Sequence, residues 1–208
     1  MKKINLLIVF FLMFGFIGCK NESILLIGDH YILSLLEEKG DTSFVFNKLT
    51  SQKLYYLLDK DASSVITNKK IIPSIKNSNK IILSLGIYDI VSLFDFQNEK
   101  NTININQKNK KIELLDYYIY HSFSLIKDNI NKKTNVYVLS QFNPLVNSNI
   151  NIKDFENVIE EVNIVLSNYS RTFDYSFVEL VNTKEYLENS FILKEEYKNI
   201  IYDQVCSN

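Results

Sequence analysis

The chain has 208 residues, with 23 Lys and Arg against 24 Asp and Glu, a formal charge of −1, 46% hydrophobic residues and two cysteines. That length holds one well-buried domain and is too short for two ordinary ones. The balanced charge, with no basic stripe or acidic tail, argues against a nucleic-acid partner, and two cysteines cannot build a disulfide scaffold.

Met1-Lys2-Lys3 gives a short positive start, and Leu6 to Ile17 is apolar throughout except for Gly15. Such a run is too short for a permanent membrane span and reads as a secretory signal. It ends in Phe16-Ile17-Gly18-Cys19, which resembles a bacterial lipobox: a small residue before the cut and a cysteine whose thiol takes an acyl chain such as palmitate. Phe16 departs from the usual Leu. The resemblance implies a signal peptide over 1–18, a lipidated Cys19 with a tether to residue 23, a domain over 24–208, and a protein held on the exported side of a membrane in the bacterial cell envelope. Lys20 to Ser23 reaches roughly 13–14 Å at full extension, so the domain sits close to its bilayer. Cys206 is then a lone thiol near the C-terminus.

Ile24 to Ile27 is a wholly apolar run of the kind shown by a central parallel strand with both faces covered. Tyr31 to Lys39 predicts a helix closed by Gly40 at its C-cap. Ser43 to Phe46 alternates as a short strand, and Thr50 or Ser51 can cap a helix carrying Leu54, Leu57 and Leu58. A short helix is expected over Ile71 to Ser78, begun near Pro73, followed by a buried strand, Lys80 to Leu85, closed by Gly86.

Gln97 to Lys111 is polar and repetitive and reads as a solvated loop. A long amphipathic helix over Ile112 to Asn129 leads to a strand at Val136 to Leu139. Asp154 is the expected cap of the helix carrying Val158, Val162 and Leu166. Phe177 to Leu180 reads as a strand and Lys194 to Val205 as a closing helix. Strands alternating with helices argue for a parallel sheet covered on both sides, an α/β fold.

The segment Ile24-Leu25-Leu26-Ile27-Gly28-Asp29-His30 resembles the first block of the GDSL/SGNH hydrolases, with His30 where the family places its nucleophilic serine. Asn77 to Ile90, with Gly86-Ile87-Tyr88-Asp89, is similar to the third block, in which a strand ends in Gly-x-Asn-Asp. Val136 to Leu139 followed by Asn143-Pro144 is similar to a later strand and turn, and Lys48-Leu49-Thr50-Ser51 falls where the second block has a glycine before a capped helix. The resemblance covers Ile24 to about Val205 in order. It implies a flavodoxin-like, three-layer α/β/α sandwich of the SGNH-hydrolase type.

The chemistry of that family needs a serine, a histidine base oriented by an aspartate, and an oxyanion hole made by the serine N–H, a glycine N–H and an asparagine side chain. Here the serine position reads His30, the glycine position Lys48 and the asparagine position Tyr88. The aspartate and histidine before the final helix read Glu188 and Phe191, and no histidine follows His121. Gly28, Asp29, Gly86 and Asp89 match, and these shape turns at strand ends.

Three sharper readings are weaker than their plain counterparts. His30 could act as a nucleophile, but no oxyanion donor accompanies it. A metal site from His30, His121, Asp29 and Asp89 has no support in their spacing. His121, in Tyr117-Tyr118-Ile119-Tyr120-His121, fits half-buried packing, and Ser34 on the His30 face fits back-bonding to its own helix. The expectation is a catalytically degenerate lipoprotein without a cofactor, binding an envelope component or small ligand. The alternative is a divergent esterase or acylhydrolase acting on an envelope ester around His30.

Overall fold

The apolar strands form because nearly every position in them is covered. A computed structural model describes residues 23–28, 43–45, 49–59, 68–94, 105–142, 152–180, 187–189 and 192–206. Strand β1 (Ile24–Gly28) is buried at all five positions, as is β3 (Lys80–Ser84), and β4 (Asn135–Leu139) is buried after its first residue. Each Val, Leu or Ile enclosed in this way contributes about 1.5–3 kcal/mol. With β2 (Ser43–Val45) and β5 (Ser176–Val178) these strands make one parallel sheet in the order β2-β1-β3-β4-β5. That is the flavodoxin-like order.

The helices are α1 (Ser51–Leu58), α2 (Asn68–Asn77), α3 (Ile87–Phe94), α4 (Ile105–Asn129), α5 (Ile152–Phe173) and α6 (Glu195–Cys206). Right-handed crossovers for the steps β2 to β3, β3 to β4 and β4 to β5 place α1, α2, α4 and α5 on one face, where α4 packs against the other three. Ile201 and Val205 bring α6 into the core, and the Val205 carbonyl accepts a 2.9 Å hydrogen bond from the buried Lys80 Nζ. Helices therefore flank the sheet, the α/β/α arrangement that the resemblance implies. A two-stranded antiparallel ribbon, β6 (Leu187–Asn189) with β7 (Ile192–Leu193), precedes α6.

At the foot of β1, Ser23 Oγ donates to the Asn77 carbonyl (2.9 Å) and the Ser23 carbonyl accepts from Asn79 N–H (3.0 Å). Ser23 therefore sits at the amino ends of the strands.

Several boundaries differ from the sequence expectation. Helix α2 begins at Asn68, so exposed Pro73 lies inside it rather than near its start, where it removes one intrahelical hydrogen bond. Helix α4 begins at Ile105, so 105–111 is helical and not loop. Its polar opening turns are held to α5 by the Lys108–Glu161 ion pair. Asp154 is the third residue of α5, which starts at Ile152, and is not its cap. Helix α3 has no counterpart in the expectation, and neither has the β6–β7 ribbon. The predicted helix at Tyr31 to Lys39 lies outside the described residues.

His121 packs as anticipated. Its ring lies 4.2 Å from Tyr117, 5.2 Å from Tyr120 and 5.8 Å from Tyr55, between centroids, on the outward side of α4.

Candidate functional site at the carboxyl edge of the sheet

All five strands point the same way, so Gly28, Ser84 to Gly86 and Ser140 to Phe142 meet along one edge, where open parallel sheets place their ligands. Glycine is needed at Gly86 for two reasons. Its φ is +126°, and a Cβ there would lie 3.1 Å from Val162 Cγ1 and 3.3 Å from Gln141 Cγ. Gly28 also has a positive φ, +156°.

Asp89 sits in the first turn of α3, buried at 5% exposure. Its carboxylate accepts from Ser51 N–H (3.0 Å to Oδ1, 2.8 Å to Oδ2) and from Ser51 Oγ (2.9 Å). Thr50 Oγ1 accepts from Lys53 N–H (3.1 Å), so the start of α1 is capped twice, once by its own N-cap and once from α3. Ser122 Oγ on α4 donates to the Ser51 carbonyl at 3.3 Å. Burial pushes the Asp89 carboxyl up to about 6, against the downward pull of the Ser51 hydrogen bonds. Asp89 thus ties α3 to α1, and Ser51 ties α1 to α4.

The next link is Gln141, which sequence reasoning missed. Its Oε1 accepts from Ile87 N–H (3.2 Å) and caps α3, while Nε2 donates to Ser84 Oγ and the Leu139 carbonyl (both 3.4 Å). Its own backbone is clamped by Asn163 of α5, whose Oδ1 accepts from Gln141 N–H (2.6 Å) and whose Nδ2 donates to the Gln141 carbonyl (2.8 Å). Beside it Ser140 Oγ accepts from Leu180 N–H at 2.8 Å. The one signal available beforehand was position: Ser84, Ser140 and Gln141 are polar residues directly following apolar strands.

Of the positions singled out from sequence, Gly28, Gly86, Tyr88 and Asp89 lie on this edge; Tyr88 is half-buried and packs on the core. Glu188 lies on β6. Cys19, Asp29, His30, Ser34, Lys48, Asn143-Pro144 and Phe191 lie outside the described residues. Among the described residues no serine shares a hydrogen bond with an imidazole, and no three His, Cys, Asp or Glu side chains gather as metal ligands. The described carboxylate and hydroxyls of this edge hold helix ends and strand ends.

No known family profile matches the sequence, and no curated protein matches it. Solved structures do. A GDSL-like lipase from Bacteroides thetaiotaomicron superposes with a TM-score of 0.58 at 13% identity, covering 89% of this chain and 86% of the lipase. This chain has the fold of the GDSL/SGNH hydrolases. Phospholipase A1 from Streptomyces albidoflavus aligns with a TM-score of 0.57 at 10% identity, over 89% of this chain and 98% of the phospholipase. A catalytic mutant of an acetylxylan esterase from Geobacillus stearothermophilus gives 0.55 at 13% identity, over 90% and 93%. At these identities the likeness establishes the SGNH fold alone.

Proposed function

We propose that this chain is a membrane-anchored lipoprotein of the bacterial cell envelope whose SGNH-type domain binds a small ligand or an envelope component and does not hydrolyse esters. The observation that carries the reading is the fate of the histidines. The sequence has two. His30 stands where the nucleophile belongs, and His121 is held among tyrosine rings on the outward side of α4. No imidazole is left to take a proton at the position before the final helix, where Phe191 stands in the sequence, and Tyr88 occupies the place of the oxyanion-hole asparagine. What the chain retains, Gly86 and Asp89, serves turns and helix caps.

Attachment follows from the lipobox-like Phe16-Ile17-Gly18-Cys19. A tether entering at the amino ends of parallel strands puts the depth of the domain between bilayer and carboxyl edge, so this edge addresses soluble partners or an opposing surface. Cys19→Ala is expected to move the protein from the membrane fraction to the soluble fraction. A Cys19→Ala chain that stays membrane-bound, or a mature N-terminus elsewhere, contradicts the anchor. Binding without turnover is read as a ligand-dependent rise in melting temperature with the ligand recovered intact.

A further inference from the structure

Among the described residues, strand β5 is an edge of the sheet, paired only with β4. Ser140 N–H donates to the Val178 carbonyl (2.9 Å), which turns the backbone of Val178 inward. By strand alternation the N–H and C=O groups of Phe177 and Glu179 point outward, and no described residue bonds them. Along this edge runs a trough of about 550 Å³ whose other wall is one stripe of α5, from Glu156 to Asn168. The stripe is about 18 Å long at 1.5 Å per residue, the reach of five or six extended residues.

The lining fixes the chemistry of an occupant. Its lining combines apolar Ile159, Phe177 and Ile164, the last 55% exposed, with the neutral polar Asn163, Ser167 and Asn168. Its rim is acidic, with Glu156, Glu160 and Glu179, and no Lys or Arg lines it. Among the described residues Glu160 and Glu179 have no cationic partner. A long basic side chain satisfies both features, its methylene stem on Ile164 and Phe177 and its head on the carboxylates. The same carboxylates disfavour pairing with a second copy of this acidic edge.

We propose that the β5 edge and the α5 trough form a docking seat for an extended basic segment of a partner protein, added as a sixth strand with Lys or Arg at alternate positions. Main-chain bonds to Phe177 and Glu179 supply strand pairing, and the trough reads the side chains. The seat shares Asn163 with the carboxyl-edge network, but it does not require that edge to bind a ligand.

The test is fluorescence anisotropy of a labelled hexapeptide alternating Lys and Val, titrated with the full chain in detergent. Saturable binding is expected, weakened at least about tenfold by the paired changes Glu160→Lys and Glu179→Lys and unaffected by Glu196→Lys on α6. Two further peptides, N-methylated on the Lys or the Val amides, separate strand pairing from charge attraction: one of the two must lose affinity. The seat is refuted by absence of saturation, by full affinity in a Glu160→Lys/Glu179→Lys chain of unchanged melting temperature, by equal loss in Glu196→Lys, or by both methylated peptides binding like the parent.

Discussion

Gly86 and Asp89 carry the clearest residue-scale consequences. Alanine at Gly86 would be forced into a positive φ and against Val162 and Gln141, so Gly86→Ala is expected to destabilise the domain by about 2–4 kcal/mol, read as a lower urea midpoint at unchanged slope. Asp89 has a folded value of about 6, above the ordinary 3.8. Between those values the folded chain keeps a proton that the unfolded chain releases. The contribution of Asp89 is therefore most favourable below about pH 4 and declines as pH rises through 6, by on the order of 2–3 kcal/mol. Urea unfolding at pH 4, 5, 6 and 7 should show the stability difference between the parent and Asp89→Asn shrinking over that window. Parallel pH curves for the two chains would contradict this. Both residues were legible as part of a Gly-x-x-Asp pattern after a strand. Their partners were not, because Ser51 and Gln141 meet them only through the fold, 38 and 54 residues away from Asp89 and Ile87 respectively.

At the scale of elements, what sequence revealed depended on how each element is stabilised. β1, β3 and β4 are buried on both faces, and continuous apolar runs announce them. The start of α1 was legible from Thr50 or Ser51 as candidate caps, and Thr50 is the one whose side chain accepts from Lys53 N–H. Thr50→Ala should cost about 0.5–2 kcal/mol, and the loss should be measurable by thermal unfolding despite the second cap from Asp89. The first two turns of α4 and the whole of α3 were not legible. The former is polar and gains its support from a tertiary ion pair with α5; the latter springs straight from Gly86, and its cap is the side chain of a glutamine 54 residues away. The reading of Asp154 as a cap failed because α5 begins two residues before it.

At the scale of the whole molecule, the fold was legible because motif order and strand order carry it together, and identities of 9–15% with the solved hydrolases confirm how little sequence it requires. The hydrolase scaffold is kept by buried apolar strands and by a polar lattice of helix caps at the carboxyl edge. Among the described residues that lattice is built from Ser51, Asp89, Gln141 and Asn163 and makes no use of His30 or Phe191, so the architecture does not require the family's catalytic side chains at those positions. Loss of nucleophile and base costs a triad enzyme about a million-fold, and loss of one oxyanion donor roughly a further 100- to 1,000-fold. On the proposed reading, a serine placed at position 30 alone is expected to give no active enzyme. The deciding measurement is hydrolysis of short- and medium-chain nitrophenyl and naphthyl esters by the purified chain, compared with His30→Ala and His30→Ser. The account predicts no turnover above background in any of the three; reproducible turnover by the parent that vanishes in His30→Ala would contradict it.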